Sequence, residues 1–383
     1  MKIILYSENG GWFDTQGFYQ FSKPVKLIKY RSNNALINDT YIHTDRILTI
    51  LEKLIKGGRY YALGFISYDF KEEIFNKQVK KDDLRLPHIY VSLFRNFEKI
   101  NPKIYKDKKS HIKNINFPSK SSFISKVLRA KNYIEKGDIY QVNLAHRIEV
   151  EGFFLPEYIF FSLVEKQPTP YMMFIKDIDF SLISGSMELF LKKEKQNIIT
   201  KPIKGTRKRG NSKAEDEALF KELKNSSKER AENLMITDLM RNDLNRIATD
   251  VHVENLFDIE KYSSLFQMVS TVKGRLRKDM TLRDIIYNTF PPGSVTGAPK
   301  KRAVEIIDEL EDYKRSVYCG ATFLIKPDFD FVMSVAIRQS IFLKNRCYIY
   351  VGSGIVADSD PEKEYQETII KAKANLNAMG IDL

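Results

Sequence analysis

Hydrophobic and polar residues alternate along residues 140–151, where polar neighbours separate Val142, Leu144, Ile148 and Val150. A period of two is typical of a strand that has one face on a hydrophobic core and the other face in water. The sequence therefore predicts a half-buried strand here. Further strand-like runs occur at residues 61–68 and 88–94 and near residues 180, 198, 331 and 348.

Helical spacing appears immediately before that strand. Within residues 123–136 the apolar positions include Phe123, Val127 and Ile134, and Gly137 follows them. Glycine is favoured just past a helix because it readily adopts the left-handed backbone that ends one. Other helical patterns occur near residues 231, 282, 303 and 364. Strands and helices in this order predict an α+β fold with extensive sheet.

A polar, lysine-rich stretch at residues 106–122 interrupts these patterns and includes Pro118. Such a composition is typical of a connection between folded units. We expect an N-terminal region, residues 1–105, that packs on the core, and a main domain formed by residues 120–383.

The composition is that of an ordinary globular protein, since 43% of the 383 residues are hydrophobic. Cys319 and Cys347 are too few for a disulfide framework, and neither the cysteines nor the histidines have the spacing of a zinc site. The apolar run at the N-terminus is too short for a signal peptide, and no run approaches the roughly 20 apolar residues of a membrane span. We therefore expect a cytoplasmic protein that does not interact with a membrane.

The formal net charge of +13 is a property that many nucleic-acid-binding proteins share. The lysines, however, are scattered among glutamates instead of forming one basic patch. A solvated basic surface is the better interpretation, and we expect no nucleic-acid partner. Such a surface also attracts small dianions.

One lysine stands in an unusual local setting. Residues 201–210 have the sequence KPIKGTRKRG, which places Lys204 between a stiff Pro-Ile segment and a Gly-Thr turn. Such a backbone can approach a ligand closely, and an amine in apolar or cation-crowded surroundings loses its proton and becomes a nucleophile. Taken alone, the stretch is more simply explained as a basic surface turn.

Two helical patterns each place two glutamates on one face. Glu229 and Glu232 are three residues apart in the first, and Glu364 and Glu367 are three apart in the second, which begins at Asp360-Pro361. Two such pairs can hold one magnesium ion through oxygen ligands and leave positions open for water and a substrate carboxylate. Salt bridges on a solvated helix surface are the alternative for each pair alone.

Three further features indicate binding of an anionic ring compound. Residues 290–300, FPPGSVTGAPK, form a loop before a helix, whose N-terminus offers free N–H groups to an anion, although a tight turn explains the loop as well. Residues 351–359 form a strand that ends in small residues and can lie flat against a ring. Arg338 lies in a strand-like run, where it is either a bidentate carboxylate binder or a buried structural arginine.

Together these motifs resemble the chorismate-utilizing enzymes, which include component I of anthranilate synthase and of aminodeoxychorismate synthase and the isochorismate and salicylate synthases. The resemblance runs from about residue 123 to residue 379 through five ordered motifs. It implies large antiparallel sheets in a sandwich-like core with helices on the outside. The chain is most similar to aminodeoxychorismate synthase component I, because anthranilate synthases have alanine at the position of Lys204 and usually histidine at that of Gln267.

The resemblance implies a function, which is the conversion of chorismate and ammonia into 4-amino-4-deoxychorismate for para-aminobenzoate and folate synthesis. Lys204 would form a covalent adduct with the ring, and Glu188 would protonate the departing hydroxyl group. Magnesium would be held by Glu232 and Glu367, with Glu229 and Glu364 in support. The residues implied to bind the substrate are Gly205, Thr206, Thr296, Gly297, Tyr318, Arg338, Gly352, Ser353, Gly354 and Lys371.

The sequence also departs from the family's usual pattern. Met187 stands where family members usually have proline in a Ser-Pro-Glu turn, and Gln339 replaces a threonine. Pro170 and Tyr171 resemble half of a tryptophan pocket, which leaves bound tryptophan open. No cysteine-centred glutaminase turn is found, so the resemblance implies a separate glutamine amidotransferase subunit. The alternatives are component I of anthranilate synthase and, in another class, a basic nucleic-acid-binding protein with a decayed fold.

Overall fold

Two large antiparallel sheets organise the chain in a computed structural model, which describes residues 1–8, 10–75, 80, 82–102, 110–263 and 265–382. The strands are β1 (Lys2–Ser7), β2 (Gly17–Ser22), β3 (Lys26–Arg31), β4 (Asn34–Ile37), β5 (Thr40–His43), β6 (Tyr61–Ile66), β7 (Ile89–Phe94), β8 (Glu98–Ile100), β9 (His111–Asn116), β10 (Gln141–Phe153), β11 (Tyr171–Lys176), β12 (Ser181–Ser186), β13 (Leu189–Glu194), β14 (Asn197–Lys201), β15 (Ile203–Lys208), β16 (Ala248–Lys261), β17 (Leu265–Leu276), β18 (Gly297–Ala298), β19 (Ala321–Ile325), β20 (Phe331–Val335), β21 (Gln339–Leu343) and β22 (Arg346–Ile355). The helices are α1 (Ile47–Gly58), α2 (Lys71–Phe75), α3 (Lys120–Glu135), α4 (Pro156–Lys166), α5 (Lys213–Asn225), α6 (Ser227–Asn245), α7 (Leu282–Thr289), α8 (Lys300–Leu310) and α9 (Pro361–Ala378).

The first sheet, here sheet I, has the strand order β18-β10-β22-β21-β12-β11-β1-β2-β8, with β9 also paired to β10. The second, sheet II, has the order β15-β17-β14-β13-β20-β19-β6-β7-β3-β4-β5, with β16 also paired to β17. The prediction of an α+β fold built on large antiparallel sheets with outer helices is confirmed. Each predicted strand and helix has a counterpart in one of these elements.

Strands from the first hundred residues lie inside both sheets. In sheet I, β1 pairs with β11, and in sheet II, β6 pairs with β19. Residues 106–109 of the predicted connection lie outside the described residues, and the rest of it includes β9 and the beginning of α3. The division into residues 1–105 and 120–383, whose residues 105 and 383 also lie outside the described ones, stays a prediction.

The predicted strand at residues 140–151 is β10, but the prediction that one of its faces meets water is wrong. Its apolar face packs under α3 and α8, where Leu144 lies in a core with Phe123 and Ile306. On the other face, the buried guanidinium of Arg147 donates a hydrogen bond of 2.7 Å to the carboxylate of Asp83. This face is therefore covered by other parts of the chain instead of by solvent.

The two helices with glutamate pairs flank the ends of the sheets. Helix α6 packs on β15, β16 and β17, and helix α9 packs on β22. Ser226 caps α6 by accepting a hydrogen bond from the backbone N–H of Glu229, and Asp360 caps α9 in the same way from Lys363. The helix start predicted at Asp360-Pro361 is thereby confirmed. In the described part of the chain, none of the helices has the length and apolar character that crossing a membrane requires.

Candidate active site

A cavity of about 490 Å³ opens between β15, α6, β22 and α9. Most of the residues predicted from the sequence lie on its wall. They are Glu188, Lys204, Gly205, Thr206, Glu229, Glu232, Tyr318, Arg338, Gly352, Gly354, Glu364, Glu367 and Lys371. Segments almost 200 residues apart in the sequence thus meet at one site.

Three predicted substrate-binding residues are not on the cavity wall. The hydroxyl of Thr296 donates a hydrogen bond of 2.8 Å to the backbone oxygen of Pro292, and Gly297 pairs with Val142 in sheet I. The hydroxyl of Ser353 donates to the carboxylate of Glu364. These residues lie behind the wall and support it, because their hydrogen-bonding groups are paired with other groups of the protein.

Lys204 reaches the cavity because β15 is irregular at this point. The register of β15 against β17 shifts between Ile203 and Thr206, and Gly205 has a left-handed φ of 86°. A side chain at position 205 would meet the carboxylate of Glu229, with its Cβ 3.0 Å from Oε2. The predicted Gly-Thr turn is thus a bulge within β15, and this bulge needs glycine and turns the lysine amine inward.

Burial lowers the pKa of the Lys204 amine, while the carboxylates of Glu232 and Glu188 act in the opposite direction. The side chain is only half-buried because its end faces the cavity. No carboxylate of the described residues lies within 4 Å of the amine. The lysine is therefore closer to its neutral, nucleophilic form than a surface lysine is.

Glu188 lies in the turn between β12 and β13 and is 5% exposed. Burial raises its pKa to about 7, against the influence of Ser294, Lys204 and the backbone of Ile203. The hydroxyl of Ser186 accepts a hydrogen bond of 3.3 Å from the backbone N–H of Glu188, which fixes the turn although Met187 replaces the usual proline. A carboxyl group that is still partly protonated near neutral pH can act as a general acid.

The four predicted metal ligands line the same cavity, but three of them are held by neighbouring groups. Glu229 accepts a hydrogen bond of 3.2 Å from Arg207, Glu364 accepts one of 2.7 Å from Ser359, and Glu367 forms an ion pair of 2.5 Å with Lys371. The ion pair outweighs burial and lowers the pKa of Glu367. Among the described residues, no three acidic, histidine or cysteine side chains converge closely enough to hold a metal ion as they lie.

Glu232 is the exception among these carboxylates. Burial raises its pKa, and the negative charges of Glu229 and Glu364 raise it further, while Lys204 and Lys228 act in the opposite direction. No lysine or arginine of the described chain lies within 4 Å of its oxygens. Additional positive charge at this point would relieve the repulsion between the carboxylates.

The other end of the cavity offers groups that bind carboxylates. Arg338 lies in a bend between β20 and β21, not in a strand as predicted, and it has a left-handed φ of 54°. Its guanidinium donates a hydrogen bond of 2.6 Å to the backbone oxygen of Lys371. Burial lowers its pKa, because no carboxylate among the described residues lies within 4 Å to compensate its charge. The amine of Lys371 also donates to the backbone oxygen of Gly352 over 3.0 Å. A half-buried cation on a strained backbone is a typical binding group for an anionic ligand.

The wall also contains polar residues that were not predicted to bind substrate or metal, although Gln267 was used to compare the family members. Asn143 has an unpartnered amide nitrogen, and Gln267, which is 1% exposed, has an unpartnered amide oxygen. Ser294 belongs to the loop at residues 290–300, and Arg207 belongs to the stretch at residues 201–210 that contains Lys204. Both segments were predicted to contribute to the site, although these two residues were not. Asn143 falls at a polar position of the alternating strand pattern, and this pattern was the only available signal for it.

A second cavity of about 410 Å³ adjoins the first, and Met187 and Ile203 line both. Pro170 and Tyr171, which resemble half of a tryptophan pocket, lie on its wall together with Tyr262. Any molecule in this cavity would lie directly behind the segments that hold Glu188 and Lys204.

Comparison with known proteins gives consistent matches. Residues 92–377 match the chorismate binding enzyme family. An anthranilate synthase component 1 from Acetivibrio thermocellus is 43% identical over 72% of this chain and 56% of that protein. An aminodeoxychorismate synthase component 1 from Bacillus subtilis is 35% identical over 83% of this chain and 76% of that protein. The structure of anthranilate synthase component I from Streptococcus pneumoniae superimposes with a TM-score of 0.81 at 28% identity, covering 93% of this chain and 91% of that one.

The chain spans about half the length of the anthranilate synthase relatives, 56% of the protein from Acetivibrio thermocellus and 54% of that from Aquifex aeolicus. The family match nevertheless includes every predicted site residue. It also agrees with the structural superposition, which extends over nearly the whole chain. The chain therefore belongs to the family of chorismate binding enzymes.

Proposed function

We propose that this chain is component I of an aminodeoxychorismate synthase, which converts chorismate and ammonia into 4-amino-4-deoxychorismate and water. The observation that carries this proposal is Lys204, whose amine faces the same cavity as Glu188. Burial lowers the pKa of the amine and raises that of the carboxyl group, so both groups are shifted toward their neutral forms. A neutral amine and a protonated acid are the two reagents that a stepwise substitution needs.

The proposed reaction proceeds in two substitutions. The Lys204 amine adds to C2 of the ring, the ring double bond shifts, and the C4–oxygen bond breaks as Glu188 donates its proton, which releases water. Ammonia then adds to C4, the double bond shifts back, and the C2–nitrogen bond breaks to return the lysine. One hydroxyl group is thus exchanged for one amino group without net oxidation or reduction.

The remaining residues of the cavity would hold the substrate. Arg338 and Lys371 supply positive charge for its two carboxylates, with Tyr318 beside them, and Gly205 and Thr206 supply backbone groups next to the lysine. Gly352 and Gly354 keep the opposite wall flat, and Thr296, Gly297 and Ser353 act through the backbone and through Glu364.

We propose magnesium as the cofactor. The donor set fits this ion, because all four glutamates present oxygen ligands to one cavity and Glu232 has no ion-pair partner in the described chain. Glu232 and Glu367 would hold the ion, with Glu229 and Glu364 in support. When bound, it would neutralise a substrate carboxylate and withdraw electron density as a Lewis acid.

Magnesium is expected to raise the thermal unfolding midpoint, because an ion bound only by the folded cavity stabilises the folded state. The measurement is a melting curve in MgCl₂ against NaCl of equal ionic strength. Glu232→Gln removes a ligand and should lose most of the shift. Glu217→Gln, on the exposed surface of α5 where Glu217 pairs with Lys221, should keep it. An equal shift in wild type and Glu232→Gln would contradict the assignment.

Component I of an anthranilate synthase is the second candidate, since relatives with that name share 43% and 42% identity with this chain. Such an enzyme adds ammonia at C2 and eliminates pyruvate, and it has no need for a lysine nucleophile beside C2. The lysine at position 204 and the glutamine at position 267 favour the first candidate.

The two candidates differ in their products. We expect the purified chain, incubated with chorismate, magnesium and ammonium at mildly alkaline pH, to form 4-amino-4-deoxychorismate without pyruvate. Mass spectrometry identifies the amine, and a lactate dehydrogenase assay measures pyruvate. Fluorescent anthranilate with an equal amount of pyruvate would instead establish the second candidate.

We further propose that a glutamine amidotransferase subunit supplies the ammonia. Among the described residues both cysteines are buried, and burial raises the pKa of Cys319 to about 12, so neither resembles the reactive thiolate of a glutaminase. Addition of such a subunit should make the reaction dependent on glutamine, and co-elution on size exclusion measures the association.

A further inference from the structure

Gln141, the first residue of β10, has a side chain without hydrogen-bond partners. It is 0% exposed, and neither its amide nitrogen nor its amide oxygen is paired within the described chain. Nearly all buried polar groups in native proteins have a partner, because burial of an unpaired amide costs free energy. The buried, unpaired side-chain amide of Gln141 therefore calls for a functional explanation.

Gly354 shows where this amide lies. A Cβ built on Gly354 would be 2.8 Å from Nε2 of Gln141 and 3.4 Å from Nζ of Lys204. Both atoms lie close to that one point, so the end of the glutamine and the lysine amine are at most about 6.2 Å apart, the sum of 2.8 and 3.4 Å. Gly354 lines the active-site cavity, whereas Gln141 lies just behind it.

We propose that Gln141 is a positioning residue for Lys204, whose amine donates a hydrogen bond to the glutamine's amide oxygen when substrate fills the cavity. This hydrogen bond directs the lone pair of the lysine nitrogen toward the ring. The inference rests on the proposed function, because it gives the lysine the role of nucleophile.

The chemistry of the amide suits this task. Rotation about the last side-chain bond of Gln141 exchanges its oxygen and nitrogen, and no existing hydrogen bond opposes that rotation. An amide oxygen accepts from an amine without carrying a charge. A carboxylate in its place would stabilise the protonated, unreactive ammonium form.

Three carboxyl groups and one amine already face the lysine amine. Glu188 faces it from the turn before β13, Glu232 from α6, and Glu367 and Lys371 from α9. A neutral group on β10 completes this shell without changing its charge. Position 354 has to be glycine in this arrangement, since a side chain there would push the amide away from the amine.

The test measures the protonation of Lys204 directly. The protein is treated with formaldehyde and dimethylamine-borane at a series of pH values, and peptide mass spectrometry gives the methylation rate of Lys204, which depends on its neutral fraction. Gln141→Glu is expected to move the pH midpoint of this rate upward by about one unit, because the new carboxylate lies beside the amine. An unmoved midpoint would overturn the proposal.

Gln141→Leu provides a second test that adds no charge. Its kcat with chorismate and ammonium should fall at least tenfold while KM for chorismate stays within twofold, and a wild-type kcat would overturn the proposal. Gln339→Leu is the matched control, because Gln339 is also 0% exposed with both amide atoms unpartnered. It removes an unpaired buried amide in the same way, and it should leave the methylation midpoint of Lys204 unchanged.

The methylation experiment separates this inference from the proposed function. A shifted midpoint in Gln141→Glu, in a protein that makes no 4-amino-4-deoxychorismate, would support the contact and refute the proposed reaction. Formation of 4-amino-4-deoxychorismate together with an unshifted midpoint would support the proposed reaction and refute the contact between Gln141 and Lys204.

Discussion

Lys204→Ala is expected to abolish formation of 4-amino-4-deoxychorismate, with a loss in kcat of roughly three orders of magnitude or more. Without the amine, the C4 hydroxyl has to be displaced in one step, and the two-step route through the covalent adduct is closed. The cavity and the acid remain, so water or ammonia can still add at C2. Chromatography with mass spectrometry should therefore detect C2-substituted products in place of the 4-amino compound.

Lys201→Ala is the matched control for this variant. Lys201 belongs to the same stretch, but it lies at the end of β14, where it pairs with Glu260 at 2.9 Å and does not line the active-site cavity. Its replacement should leave turnover within about twofold, as is usual for surface substitutions away from a site. If Lys204→Ala forms the 4-amino product at the wild-type rate, the lysine is not the nucleophile.

Glu188→Gln is expected to lower kcat by about a hundredfold or more, the usual contribution of a general acid. The amide has the same shape as the carboxyl group, but it cannot release a proton to the departing hydroxyl. Because the pKa of Glu188 is about 7, the acid is protonated below that pH and ionised above it. In a plot of kcat against pH, the wild-type kcat should therefore fall as the pH rises through 7. The kcat of the variant should not show this fall.

Although Glu188→Gln lowers kcat, it is expected to stabilise the folded protein. The pKa of Glu188 is raised from 4.5 in the unfolded chain to about 7 in the folded one, so the fold loses stability as the pH rises from 4.5 to 7, and the loss is complete above pH 7. Below pH 4.5 the effect vanishes, because the group is protonated in both states. At pH 8, Glu188→Gln should be more stable than wild type by roughly 3 kcal/mol. Equal melting midpoints at pH 8, together with a change in kcat below a few-fold, would remove Glu188 from its proposed role.

Local patterns predicted the elements well because each element is organised around one buried face. The spacing of Phe123 and Val127 and the alternation around Leu144 follow directly from the core that they share. The pattern did not show what covers the polar face of β10. Arg147 on that face pairs with Asp83, 64 residues earlier in the chain, and no periodicity within the strand reports the presence of that partner.

The site shows the same limit in more detail. Helical spacing correctly placed Glu229 with Glu232 and Glu364 with Glu367 on one cavity wall, because residues three apart share a helix face. It could not show that Arg207 holds the first of these carboxylates. Ser353, predicted to touch substrate, proved to donate to Glu364, because a hydroxyl on a buried strand pairs with the nearest acceptor.

The choice between two family members depends on different information. Identity over the matched region is higher to anthranilate synthase components than to the aminodeoxychorismate synthase component, 43% against 35%. Identity counts every matched position equally, so it gives no extra weight to Lys204 and Gln267, on which the proposed choice rests.

Because the N-terminal strands are interleaved with strands of the main domain, the chain is not expected to tolerate removal of its N-terminal region. With β1 seated between β11 and β2, and β6 between β19 and β7, removal of the first hundred residues would strip neighbours from strands in the middle of both sheets. The exposed main-chain N–H and C=O groups of β11 and β19 would then pair with strands of other molecules, and the fragment would aggregate instead of folding. We therefore expect the first hundred residues and the rest of the chain to fold together as one unit.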